Sequence, residues 1–168
     1  AVKAEYAEAL MLLKAAQEPQ QAELPDASYL MPAIDDEVMS YFLPEMEEHL
    51  GRIQAHLEHL SANPDDPDRM HQLFRSVHTV KGSAHTVGFT VIGDVALPLE
   101  ERLGETRDDR SAISASLLEL TAETMRVVRR LLARDTAQLD SLQRDVPALL
   151  SRLQASRPAS GLQPDGGR

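Results

Sequence analysis

His71, Arg75, His78, Lys81, Gly82 and His85 fall on one stripe when a helix turns by about 100° per residue, and their types suit the handling of a phosphoryl group. Imidazole keeps a lone pair at neutral pH, and the phosphoramidate it forms stays reactive enough to pass the phosphoryl group to a carboxylate. Arg75 and Lys81 lie one turn to either side of His78, where their charges would meet an anion carried on the ring. Gly82, one turn beyond His78, costs about 1 kcal/mol in a helix interior relative to alanine. Its missing side chain would let another molecule's reacting group come close to the imidazole, and Ser83 and Ala84 keep the surroundings small. The plain reading of a lone helical histidine is a polar residue at the edge of a core. Two cations and a glycine beside it weigh against that.

Other chemistries fit less well. His71, His78 and His85 repeat every seven residues, which separates them by roughly 10 Å along a helix, whereas ligands of one Zn²⁺ lie about 2 Å from the metal. His56 and His59 have a usable spacing but sit on the polar side of an amphipathic helix and read as a solvated face, so no metal site is expected. The stretch from Gly88 to Gly93 is the one passable glycine-rich segment for a nucleotide, and it lacks both a strand-turn-helix setting and a phosphate lysine. A purely structural bundle or adaptor, acting without phosphorylation, accounts for the hydrophobic seams but not for Gly82 beside Lys81 and His78.

The stripe requires helices, and helical periodicity dominates the chain; strand-like alternation is confined to Phe89–Ile92. An opening helix is expected over Val2 to Ala16, followed by a linker from Gln17 to Ala33. A short helix from Asp35 to Phe42 should give way at Pro44, a residue suited to a first helical position, to one carrying Leu43, Met46, Leu50, Ile53, Leu57 and Leu60 as far as Asn63-Pro64. The segment Asp65 to Asp68 supplies capping oxygens for the helix of the stripe, whose buried seam is Met70, Leu73, Val77, Val80 and Ala84 and whose end is near Gly88. A further helix from Thr90 to Gly104 turns Ile92, Val95, Leu99 and Leu103 inward, with Pro98 as a kink and Gly104 as C-cap. Two more follow over Ser111–Ala133 and Thr136–Gln154, the latter with Pro147 as a break point. Short links favour an antiparallel up-and-down bundle, so the fold class is all-α, a four-helix core plus accessory helices. The domain spans 34–155, between an N-terminal helix and linker (1–33) and a flexible C-terminal linker (156–168).

Composition narrows the partners. A net charge of −10 opposes non-specific binding to DNA or anionic lipid, and with no Trp there is little to stack single-stranded nucleic acid. No apolar run reaches the ~20 residues of a membrane helix, and no signal-peptide core opens the chain, so no membrane insertion and a cytoplasmic location are expected. The absence of Cys is compatible with that compartment and excludes thiolate chemistry. The first residue is not Met, which suggests a piece of a longer polypeptide or a processed chain.

The run His78-Thr79-Val80-Lys81-Gly82-Ser83-Ala84, with Gly88-Phe89, resembles the signature of histidine-containing phosphotransfer (HPt) domains, nearest to those of chemotaxis-type and pilus-motility-type hybrid histidine kinases. The resemblance covers about Ile34 to Ala155. It implies that His78 is the phosphoacceptor, that Lys81 contacts the phosphoryl group, and that Gly82 permits docking. It also implies partners: a histidine kinase catalytic domain and a receiver domain whose aspartate takes the phosphoryl group. No cofactor belongs to this chain, Mg²⁺ being expected on the partner, and the domain is not an enzyme on its own but part of a larger histidine kinase. Family members often carry Gln or Glu at the position 22 residues after the histidine, here Glu100, to hydrogen-bond the ring. The bland alternative for Glu100 is a solvated charge next to Glu101. Chemotaxis-type members can add a second, supporting histidine on the next helix, where this chain has Leu97 followed by Pro98.

Overall fold

The computed structural model describes residues 7–9 and 23–155. Apart from residues 7–9, which are helical, the opening helix expected over Val2 to Ala16 lies outside the described residues, as does the C-terminal linker. The elements are α1 (Ala27–Leu30), α2 (Asp36–Ala62), α3 (Pro67–Val87), α4 (Thr90–Asp108), α5 (Ala115–Ala133), a 3₁₀ turn (Thr136–Gln138) and α6 (Leu139–Ala155). No strand occurs among the described residues, and Phe89–Ile92 is the cap and first turn of α4. Neighbours in sequence pack as neighbours in space: α3 lies between α2 and α4, and α5 closes the ring by touching both α4 and α2. The accessory helix α6 covers α4 and α5, and α1 covers α6 and α4.

The apolar seams explain this arrangement. Met70, Leu73, Val77, Val80 and Ala84 of α3 are buried, facing Met46, Leu50, Ile53, Leu57 and Leu60 of α2 and Ile92, Val95, Leu99 and Leu103 of α4 within one core. Each such side chain removed from water contributes roughly 1.5–3 kcal/mol. The ends of α3 are chemically marked. Asp66 accepts from the Arg69 N–H at 3.0 Å with Pro67 in the first turn, and Gly88 ends the helix at φ 88°, a left-handed conformation that glycine takes without penalty. Phe89, the next residue, is fully buried, its ring centroid 6.3 Å from that of Phe42.

Four expectations need correction. Pro44 does not start a helix; it lies inside the continuous α2. Losing its backbone donor costs about 3 kcal/mol in a helix interior, but Met39, Phe42 and Met46 on both sides of it are buried in the core, and their packing holds the two halves in line. Pro147 likewise sits within α6 without ending it, flanked by buried Val146 and Leu149. Gly104 is not a C-cap, since α4 continues to Asp108; a Cβ there would meet Phe74 Cε2 at 3.2 Å, so this glycine serves a close helix approach. Finally, residues 23–33 are docked on the bundle rather than spanning free space.

That docking is specific. Leu30 is completely buried, Gln143 Nε2 donates to the Pro25 carbonyl at 3.1 Å, and Arg134 donates to the Pro32 carbonyl at 3.0 Å. The Tyr29 hydroxyl donates to Asp94 of α4, and burial, followed by that carboxylate, pushes the phenol well above its ordinary range, so it stays protonated. Leu30→Ala is expected to lower unfolding stability by about 2–4 kcal/mol in urea titrations, whereas Leu24→Ala, at an exposed position, should leave the midpoint unchanged. Equal midpoints for the two variants would show that the segment is not part of the folded unit.

Candidate functional site

The stripe of α3 emerges as designed by its periodicity: His71, Arg75, His78, Gly82 and His85 are exposed, while the seam residues beside them are buried. The His78 side chain is 60% exposed, and its Nδ1 lies 3.1 Å from Glu100 Oε1 of α4. Glu100 is no solvated charge, with only 14% of its side chain exposed. Lys81 Nζ lies 2.6 Å from the other oxygen, Oε2, close in distance though off-angle for a hydrogen bond. One carboxylate therefore serves two side chains of α3 a turn apart.

The electrostatics follow from that sharing. Burial by itself would raise the Glu100 carboxyl, but Lys81 and then His78 outweigh it and hold the group below the ordinary carboxylate range. An ionised carboxylate only accepts, so Nδ1 of His78 must carry the hydrogen, and Nε2 of the neutral ring keeps its lone pair. That nitrogen is the one an incoming electrophile can reach. One turn on, a Cβ built on Gly82 would meet nothing within 4 Å, so the glycine is not there for packing, and it lines the same open groove as His78.

Arg75 is exposed on the same helix, yet among the described residues no hydrogen bond or ion pair joins it to His78 or Glu100. The structure thus brings together His78, Lys81 and Glu100, adds the clearance at Gly82, and leaves Arg75 apart. His56 and His59 are engaged at the start of α3, His59 Nε2 with Asp66 at 2.8 Å and His56 Nδ1 with Arg69 at 3.4 Å. Among the described residues no group of three or more His, Asp and Glu is placed to hold a metal ion.

Sequence reasoning missed the wall facing the imidazole. An open groove of about 610 Å³ between α2 and α3 is lined by Val38, Tyr41, Phe42 and Glu45 on one side and by His78, Gly82 and Ser83 on the other. Tyr41 is 73% exposed, and Val38 is exposed as well. Glu45 accepts from the Ser83 hydroxyl at 3.3 Å and lies 3.5 Å from His49. The signal was present: Val38, Tyr41 and Glu45 recur at three- and four-residue steps off the hydrophobic seam of α2, and an aromatic residue on a polar face is out of place unless something covers it. Leu97, where the resemblance allows a second histidine, is 41% exposed, and Pro98 follows it within an unbroken α4.

Comparison with known proteins identifies the family and the fold. The family model described as "Hpt domain" matches residues 37–156. The chemotaxis protein CheA of Treponema pallidum is 26% identical over 145 residues, which are 86% of this chain and 18% of that protein. CheA of Listeria monocytogenes is 31% identical over 83 residues, 49% of this chain and 13% of that protein. The chain therefore spans less than a fifth of the length of these curated relatives. Among solved structures, the CheA phosphotransferase domain from Thermotoga maritima superposes with a TM-score of 0.56 at 28% identity, covering 58% of this chain and 93% of that one. A solution structure of the CheA histidine phosphotransfer domain gives a TM-score of 0.60 at 23% identity over 76% of this chain and 98% of that one, a likeness of fold.

The shared carboxylate has a pH signature. Because the folded-state pKa of Glu100 lies below its unfolded value of about 4.3, its stabilisation is fully present above that value and is lost as pH falls through the lower, folded pKa. Glu100→Ala should therefore destabilise the protein at pH 7, and the difference from the parent should shrink when unfolding is measured at progressively lower pH below about 4. A difference that stays constant with pH would mean that the carboxylate's charge is not what the site uses.

Proposed function

The chain belongs to the Hpt domain family, and from that premise we propose that it accepts a phosphoryl group on Nε2 of His78 and passes it to the aspartate of a receiver domain. The observation that carries this reading is the exposed imidazole whose Nδ1 is tied to Glu100 and which shares an open groove with Gly82. In the first step the Nε2 lone pair attacks phosphorus, an N–P bond forms, and the P–O bond to the donor breaks. In the second, an aspartate oxygen of the receiver attacks phosphorus, the N–P bond breaks, and the electron pair returns to Nε2. The Nδ1–H stays with Glu100 throughout, so no proton has to leave the ring.

The donor is a histidine kinase catalytic domain or a phosphorylated receiver, and this chain is a relay rather than a self-sufficient catalyst. Mg²⁺ belongs to the partner, since, of the carboxylates near His78, Glu100 is committed to two side chains of α3 and Glu45 to Ser83 and His49. Lys81 shares Glu100 at rest, and a phosphoryl group on His78 brings a second anion within reach of its ammonium. Arg75, exposed one turn before His78, supplies charge to the surface around the ring. The partner covers the groove beside His78, burying Tyr41 and Val38. The likeness to chemotaxis proteins CheA supports reading this module as part of a larger signalling kinase of the chemotaxis or motility type, working in the cytoplasm.

Two variants test the reading. Incubated with a radiolabelled phospho-donor, the parent should acquire acid-labile label and His78→Gln none; label retained by that variant would place the acceptor elsewhere, and a signalling role indifferent to it would favour the adaptor reading. Gly82→Leu should fold and gain about 0.5–1 kcal/mol of helix stability, because its side chain meets open space, yet lose phosphoryl transfer. Normal transfer by Gly82→Leu would remove the argument from clearance.

A further inference from the structure

We propose that Phe74, Gly104 and Arg107 form a platform that positions the His78 ring, an inference that rests on the phosphotransfer reading of His78. Phe74 is one turn before His78 on α3, and long side chains in a helix lean toward its N-terminus over the preceding turn, so the imidazole of His78 falls toward residue 74. The rings are indeed close to parallel, with centroids 6.2 Å apart and an interplanar angle of 21°, inside the range of offset aromatic pairs.

Phe74 is itself held from α4. Arg107 Cζ lies 4.0 Å from the centre of the Phe74 ring, where a guanidinium is attracted to the negative face of the ring. Asp108 fixes that guanidinium, accepting from Arg107 Nε at 3.0 Å and pairing with its terminal nitrogen at the same distance. Gly104, one turn before Asp108, lets Phe74 lie against bare α4 backbone, since even a methyl group there would stand 3.2 Å from Phe74 Cε2.

The physical role is restriction of torsion. A side chain 60% exposed and held at one nitrogen can still swing about its hydrogen bond, and transfer requires Nε2 to meet phosphorus in line. Glu100 fixes which nitrogen is free, and the platform fixes where that nitrogen points. Phe74 and Arg107 touch no phosphoryl group in this account, so they are positioning residues whose effect runs through the imidazole.

The test uses the whole chain. Three-bond NMR couplings across the Cα–Cβ bond of His78 should report a single rotamer in the parent and in Phe74→Tyr, and rotamer averaging in Phe74→Leu, while Glu100 keeps the hydrogen on Nδ1 in all three. With a receiver as acceptor, Phe74→Leu should slow the transfer step about tenfold at nearly unchanged KM, Phe74→Tyr should restore it, and Arg107→Gln, altered at a partly exposed position, should slow it about threefold. Couplings in Phe74→Leu and Arg107→Gln identical to the parent, or a change in KM alone, would overturn the platform. The NMR arm needs no phospho-donor, so a parent that takes no label on His78 overturns the functional reading by itself, while the couplings still decide the platform.

Discussion

One carboxylate holds the site in register. Glu100 reaches from α4 to two side chains of α3, accepting from the His78 ring at 3.1 Å and facing Lys81 at 2.6 Å. A charged group mostly removed from water needs opposite charge and donors around it, and here the two neighbours are the same residues that the phosphotransfer reading requires. The orientation of the imidazole is therefore inherited from the crossing of α3 and α4. Whatever sets that crossing also sets which way the ring nitrogens face.

The packing that sets it is unusually direct. Val77, Val80 and Ala84 of α3 and Val95, Leu99 and Leu103 of α4 are fully buried, so the seam runs immediately beneath the exposed stripe. At one end Gly104 permits Phe74 to lie on the α4 backbone, and at the other Gly93 permits the same for His85. The accessory elements reinforce the arrangement, because Tyr29 from α1 binds Asp94, and Asp94 lies 3.5 Å from His85 on α3. The segment before the matched family region thus bears on the helix that carries the site.

What could be read from sequence divides along the range of the forces. The seams of α2 to α6 were legible because burial imposes a period on every turn, and the ends of α3 were legible because Asp66 and Gly88 act on their immediate neighbours. Pro44 misled because a local penalty of about 3 kcal/mol loses to the buried side chains on either side of it. Gly104 misled for the converse reason, since a glycine near a helix end has a local explanation, and its true neighbour, Phe74, comes from another helix. Residues 23–33 are too short and too interrupted by Pro25 and Pro32 to repeat a period, and Leu30 finds its place only once α4 and α6 exist. At the site, His78, Lys81 and Gly82 stood out by type and spacing. Glu100 came from family resemblance, and the groove wall of Val38, Tyr41 and Glu45 was overlooked because it belongs to a different helix.

Gly93 and His85 occupy a single volume between them. A methyl group on residue 93 would stand 2.0 Å from the His85 ring, so the ring would have to turn out and give up Asp94 before any larger residue could enter. The two positions are therefore free to drift only as a pair. In a lineage of such domains, a gain of side chain at 93 should accompany a smaller or redirected residue at 85, leaving a trace of this helix contact in sequences where no structure has been seen.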